Sequence, residues 1–298
     1  MMDTAALDRI GEKVEHGERL ADEEARQLAS SRDILALGSL ADRARRRKHG
    51  AVTTFLRVAE VPVGQAAGGS LARLAGAREV RLAGGLQSLE TAVKAVRGAA
   101  AMAGGRPISG FSLAALEALA TAERATLASA LSALRDAGLT SVAETPMDAL
   151  ADWRGALEAA SACGVAVPRL TIDSAAGGIV PLLERVSEAC RLPGVSPVFA
   201  PLPRRPGPEP TTGYEDVKSI ALARLLLDVD HIQVDWRLHG PKLAQVALTV
   251  GADDVDNVAA EEEHPEGRRR APLEEILRNI RAAGLEPAER DASFSPVR

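Results

Sequence analysis

Thiols are almost missing from this chain: its 298 residues hold two cysteines, Cys163 and Cys190, each within a stretch of helical spacing. That excludes a disulfide framework and a clustered thiolate motif, and suits a reducing compartment. Aromatic residues are as scarce. One tyrosine, two tryptophans and four phenylalanines leave few platforms for base stacking, which counts against a nucleic-acid role. A surplus of positive charge is also lacking. With a formal net charge of -5 the chain has no overall footprint for nucleic acid or an anionic membrane surface. The basic run from Arg43 to His49 is the local exception, read as a solvated helix end whose cations suit the negative end of the helix dipole. No long apolar block occurs, so neither a signal peptide nor a membrane span is expected, and the expectation is a soluble, cytoplasmic protein without membrane insertion.

What is present is an ordered alternation. Hydrophobic residues make up 46% of the chain, enough for a sizeable core. Residues 4 to 48 read as helices, with Ile34, Leu35, Leu37, Leu40, Ala41 and Ala44 on one stripe, so residues 1–50 are expected to form an N-terminal helical cap. From residue 51 short β-branched runs alternate with longer amphipathic ones. Strands are predicted at 51–58, 79–84, 107–110, 140–144, 167–173, 196–202, 231–236 and 255–259. Helices are predicted near 86–103, 112–136, 148–163, 177–191, 213–228, 240–250 and 271–284, with a thin first helix near 70–76. Eight strand-helix units in an α/β chain predict a (β/α)8 TIM-type barrel over 51–298, with a C-terminal tail. The Pro-rich stretch 201–213 reads as a long loop after the sixth strand.

In a parallel barrel, chemistry belongs in the loops after the strands. The candidates there are Glu60, Gly84, Gly85, Ser109, Glu144, Asp173, Ser174, Arg204, Arg205, Asp235, Arg237, His239, Asp253, Asp254, Asp256 and Asn257. Gly84 and Gly85 directly follow a strand, where bare N–H groups can approach a polar or anionic ligand, though a tight turn explains them equally well. Glu144 ends a strand and could accept hydrogen bonds from a ribose or an amine; a solvent-facing first-turn acid is the competing reading. Asp235 and His239 are close enough for a carboxylate and imidazole pair that moves protons, while a histidine before a glycine also fits a helix cap. The acidic "GADDVDN" has neither calcium-loop spacing nor clustered histidines, so a solvated acidic turn is expected there rather than a metal site.

Residues 211–257, "TTGYEDVKSIALARLLLDVDHIQVDWRLHGPKLAQVALTVGADDVDN", strongly resemble the C-terminal half of the radical-SAM aminofutalosine synthase family of the futalosine route to menaquinone. Dehypoxanthine futalosine cyclase and deazaflavin synthase share a looser version. "DILALGSLADRARRRKHG", "EVRLAGGLQS", "LRDAGLTSVAE" and "IRAAGLEPAERDASF" extend the resemblance along most of the chain. In that family "HG" precedes a strand and a CxxxCxxC loop whose thiolates hold a [4Fe-4S] cluster. Here the same place, residues 49–70, reads "HGAVTTFLRVAEVPVGQAAGGS", without a cysteine. Thiolate is the soft anionic donor such iron requires, and Val, Ala, Glu and Gln do not replace it. Further departures surround the same mouth: "SVAE" for a glycine run before the glutamate, Gln87 for a histidine, "DSAAGG" for a polar strand end, and "LPRRPG" for an "FHPEN"-like stretch. Gly84, Gly85, Glu144, Trp236, Gly251 and Asp254 keep family positions.

The resemblance therefore implies a degenerate, cluster-free member. It is expected to serve menaquinone biosynthesis as a partner subunit, scaffold or ligand-binding protein, beside a cysteine-bearing paralogue or another pathway enzyme. No [4Fe-4S] cluster is expected, and residual SAM or nucleoside binding would fall to Gly84, Gly85, Trp236 and Asp254. The alternative is a non-radical enzyme, hydrolytic or acid-base, acting on a futalosine-like or chorismate-derived metabolite through Glu144, Asp235 and His239.

Overall fold

A computed structural model of the protein describes residues 4–68, 74–173, 178–201, 212–261 and 270–297. Three helices come first: α1 (Thr4–His16), α2 (Asp22–Ser30) and α3 (Ile34–His49). Eight strands follow in chain order: β1 (Val52–Pro62), β2 (Glu79–Ala83), β3 (Ile108–Ser112), β4 (Ser141–Glu144), β5 (Leu170–Ile172), β6 (Val198–Pro201), β7 (His231–Asp235) and β8 (Asp254–Ala259). All pair in parallel, in the order β4-β3-β2-β1-β8-β7-β6-β5. Parallel bridges Ser141–Ala166 and Pro146–Thr171 join β4 to the β5 side and close the cylinder. This is the (β/α)8 barrel with a helical N-terminal extension that the alternation predicts.

Outside the strands lie α4 (Leu89–Met102), α5 (Leu113–Ala122), α6 (Leu127–Ala137), α7 (Trp153–Ala162), α8 (Ile179–Ala189), α9 (Gly213–Leu226), α10 (Trp236–Leu248) and α11 (Pro272–Ala282). Most starts carry a side-chain cap that supplies an acceptor for the first free N–H groups: Ser88, Thr126, Asp152, Thr212 and Asp235. The predicted helix at 112–136 is two helices, because Arg124 takes a positive φ of 56° and Thr126 caps a new start. After β1 there is a 3-10 turn over Val63–Gly68, and the thin helix predicted near 70–76 falls largely outside the described residues. Most of the Pro-rich stretch 201–213 lies outside them as well. A short ninth strand, β9 (Glu286–Glu289), pairs with the first half of β1 and was not predicted. Among the described residues, no helix is long and apolar enough to cross a membrane.

Two features seat the N-terminal helices on the barrel. Apolar residues of α1–α3, such as Ile10, Leu28, Leu37 and Leu40, join the same buried cluster as the outer faces of the strands. Gly251, at φ 120°, lets the turn before β8 pass close by: a Cβ there would stand 2.8 Å from Arg224 Cβ and 3.2 Å from Ala41 Cβ. The basic run at the end of α3 is solvated as expected at Arg43, Arg46, Arg47 and Lys48, but three of its side chains also bind the barrel. Arg45 is fully buried against Asp42 and the Gly50 carbonyl, Lys48 donates to the Val229 carbonyl at 2.6 Å, and His49 reaches the Asp230 carbonyl at 2.7 Å. The run ties α3 to the base of the barrel because unpaired carbonyls there need donors.

Candidate functional site

Side chains alternate along each strand, so one set faces the helices and the other fills the cylinder. On β2, Val80 and Leu82 pack outward while Glu79 and Arg81 turn in; β7 does the same with Ile232 and Val234 against Gln233 and Asp235. The interior is therefore charged. Near its base Arg290, just after β9, grips Asp254 through Nε and Nη2, one guanidinium edge, at 2.6 and 2.7 Å, and Thr54 and Gln233 also donate to that carboxylate. One layer up, Arg81 bridges Glu79 and Asp256, while Arg169 donates to the Ala143 carbonyl, Gln233 and Asp256. Three guanidiniums face three carboxylates, which is what makes burial of so many charges tolerable. A void of about 20 Å³ in this layer has room for a single water.

The electrostatics follow from this pairing. Burial alone would raise the Glu79 carboxyl, but the Arg81 charge and hydrogen bonds from Ser109 and Arg81 outweigh it and hold the group below its usual range. Burial likewise works against Asp254, and Arg290 overcomes it. Arg169 is pushed down to about 10 by burial and by the neighbouring Arg81 charge, so it stays cationic at neutral pH.

Above the ladder the C-terminal ends of the strands open into a cavity of about 660 Å³. Gly84 and Gly85 form part of its wall, and a Cβ at either would meet nothing within 4 Å, so the space beside them belongs to the cavity. Gly84 also needs its positive φ of 118°. Glu144, Asp235, Arg81, Arg169, Phe111 and Asn257 complete much of the lining. Asn257 is 6% exposed at a positive φ of 60°; its Nδ2 donates to Glu60 at 2.9 Å and to Asp235 at 3.2 Å, and its Oδ1 is buried without a partner. Arg237 ion-pairs with Glu60 across the same rim. A buried, idle amide oxygen at a cavity wall is an acceptor awaiting a donor.

Of the residues singled out from sequence, Glu60, Gly84, Gly85, Glu144, Asp235, Arg237 and Asn257 meet at this cavity. Trp236, His239 and Asp254 are not part of its lining. Trp236 is buried in the apolar core at the start of α10, and Asp254 is locked to Arg290 nearer the base. The expected carboxylate and imidazole pair does not form. The Asp235 carboxylate caps α10 by accepting from Arg237 N and Leu238 N, and His239 Nδ1, one turn on, donates to the Asp235 backbone carbonyl at 3.1 Å. Burial pushes the His239 imidazole below its ordinary value, which keeps it neutral. Ser174, Arg204 and Arg205 lie outside the described residues. Sequence reasoning missed Arg81 and Arg169, although a charged residue in mid-strand of a sheet covered on both faces is itself a signal.

Residues 204–297 match the family described as the CofH/MqnC C-terminal region. The match is confined to the C-terminal third of the chain. Aminodeoxyfutalosine synthase from Streptomyces coelicolor is 39% identical over 94 residues, covering 29% of this chain and 24% of that protein. The enzyme of the same name from Thermus thermophilus is 40% identical over 97 residues, 30% of this chain and 25% of the relative. The 5-amino-6-(D-ribitylamino)uracil--L-tyrosine 4-hydroxyphenyl transferase of Methanopyrus kandleri is 38% identical over 108 residues, 33% of this chain and 29% of the relative. The chain thus matches about a quarter of the length of these curated relatives. Among solved structures, methylornithine synthase (PylB) superposes with a TM-score of 0.67 at 16% identity, over 96% of this chain and 98% of that one. The [FeFe]-hydrogenase maturase HydG gives 0.68 at 13% identity, over 98% and 77%. At such identities these two likenesses speak for the fold.

A [4Fe-4S] cluster of the kind the resemblance implies needs thiolates at the mouth, and the donors present do not fit it. Cys163 ends α7, buried with its Sγ against the Ala128 carbonyl at 3.3 Å, and Cys190 ends α8. Both helices run back from the mouth, so their C-termini lie towards the base of the barrel. Burial pushes the Cys190 thiol up to about 11, away from the thiolate form a metal needs.

Proposed function

We propose that this chain is a cluster-free relative of the radical-SAM synthases of menaquinone and related cofactor biosynthesis, acting as a ligand-binding partner subunit rather than as a radical enzyme. The observation that carries this reading is the pairing of an open polar cavity, at the family's usual place for chemistry, with a rim that offers no thiol. The cavity has the size of a nucleoside-class ligand pocket. Its lining offers a hydrogen-bond acceptor in Asn257 Oδ1 beside the carboxylate of Glu144, over a floor formed by the paired guanidiniums of Arg81 and Arg169. The partner would be a cysteine-bearing paralogue or another enzyme of the pathway.

The acid-base alternative would need a proton shuttle beside the ligand. Glu144 and Asp235 are placed for contact, but the cap role of Asp235 and the retreat of His239 leave it without its imidazole. The test is a thermal shift series with SAM, S-adenosylhomocysteine, aminofutalosine and dehypoxanthine futalosine. At a hundred times its dissociation constant a true ligand adds on the order of 2.7 kcal/mol, and the shift should vanish in Asn257→Leu and Gly85→Val variants that still fold. Absence of a shift with every compound, or turnover of one of them that is lost in Glu144→Gln, would overturn the reading.

A further inference from the structure

The opposite end of the barrel holds a second constellation, far from the mouth and independent of the ligand reading. His49 at the end of α3, His231 at the start of β7 and Asp253 just before β8 bring one ligating atom each to within 4.8 Å of one another. We infer that these three residues form a binding site for a divalent transition-metal ion of the zinc class, which clips α3 to the base of the barrel.

The orientation of the carboxylate carries the argument. Asp253 Oδ1 is already engaged by the Arg224 guanidinium and by Ile232 N at 2.9 Å. Its Oδ2 is left facing both imidazoles, 2.5 Å from His231 Nδ1 and 3.4 Å from His49 Nε2. Outer hydrogen bonds that fix one oxygen and free the other are how metal-binding carboxylates are held. Ligand atoms bonded to zinc at about 2.0–2.1 Å stand roughly 3.3 Å apart, a spacing the His49 contact already has. Taking up an ion replaces the shorter His231 contact and turns the two ring nitrogens, within 4.8 Å of one another, towards one point.

An incoming ion takes the place of the Nε2–H that His49 donates to the Asp230 carbonyl at 2.7 Å, and solvent completes the fourth position. The rings are supported from behind: His49 stacks on His231 with centroids 5.1 Å apart, and His231 on Phe294 at 4.6 Å. The histidines are partly exposed, at 17% and 19% of their side chains, which leaves an entry path, and Asp228 and Asp230 add negative charge around Lys48 beside it. Two imidazoles and one carboxylate are a donor set for zinc, cobalt or iron rather than for magnesium or calcium. Sequence spacing hides it, since the three residues are spread between positions 49 and 253 of the chain.

The test is a cobalt(II) titration of the untagged, chelator-stripped chain. The expected result is about one bound ion with the intense visible bands of a four-coordinate site, displaced by zinc, and a thermal midpoint that rises with zinc. His49→Gln and His231→Gln should each weaken binding at least as much as the loss of an outer-shell partner does, ~10–100-fold, while His16→Gln changes nothing. Zinc X-ray absorption on the unmodified chain gives the same answer without variants, through a shell containing two imidazoles. A shell of oxygens alone, or binding that survives both histidine substitutions, would show that the three residues are only a hydrogen-bonded network.

Discussion

Asp256→Ala should destabilise the protein by about 3–5 kcal/mol, the cost of breaking a buried ion pair by removing one partner. Asp256 is 1% exposed and takes hydrogen bonds from two guanidiniums, Arg81 and Arg169, both almost fully buried. Without it two cations sit in the barrel against the single carboxylate of Glu79 in that layer. The remedy should be removal of all the charge in that layer rather than its restoration: Asp256→Leu combined with Glu79→Leu, Arg81→Met and Arg169→Met should recover much of the loss, because an apolar set of similar volume leaves no buried charge to desolvate. Glu90→Ala, which breaks the exposed pair with Lys94, should leave the midpoint where it was. Urea unfolding followed by circular dichroism checks all three. A loss below about 1 kcal/mol for Asp256→Ala would mean that the interior column is hydrated and not the dry ion network described.

Acid should weaken the fold in two stages. His239 and His49 are held below their ordinary 6.5 chiefly by burial, so the unfolded chain binds their protons first. Stability is then fully present above pH 6.5 and falls as pH drops below it. Glu79 and Asp254 are held below 4.5 and 3.8 because their arginine partners outweigh burial, and Glu289 is lowered by Arg78 and Arg57 against burial. Their contribution is complete above the unfolded values and is lost as pH falls through the lower folded ones. Urea midpoints measured with chelator present should therefore decline gently below pH 6.5 and again, more steeply, below 4.5. A midpoint flat from pH 8 to 5 would contradict the burial of both imidazoles.

The barrel was legible because its signal is repeated: eight β-branched runs alternating with amphipathic ones leave few other ways to bury both faces of parallel strands. The site was legible only in part. Gly84, Gly85, Glu144 and Asp235 announce themselves by standing at strand ends, where a barrel gathers its loops. Asp254 and His239 carry the same chemical types and were grouped with them, yet a difference of two positions along β8 separates the base layer from the middle one, and one helical turn takes His239 away from its carboxylate. Register and helix phase are set by packing, which spacing alone does not encode. The polar filling of the cylinder could have been read from "EVRLA" and "HIQVD", whose alternation of charged and apolar residues departs from the continuous hydrophobic run of an ordinary parallel core. β9 is too short and too polar, Glu-Pro-Ala-Glu, to stand out from a tail.

Without thiolate at the mouth the chain should hold no iron-sulfur cluster, and one preparation examines this. The purified chain is reconstituted anaerobically with iron and sulfide, desalted, and incubated with SAM and dithionite, and the iron content and 5′-deoxyadenosine are measured together. The prediction is iron no higher than in a serum albumin control, no charge-transfer band, and no 5′-deoxyadenosine above the no-protein background. A stoichiometric cluster with catalytic release of 5′-deoxyadenosine from this chain alone would contradict it.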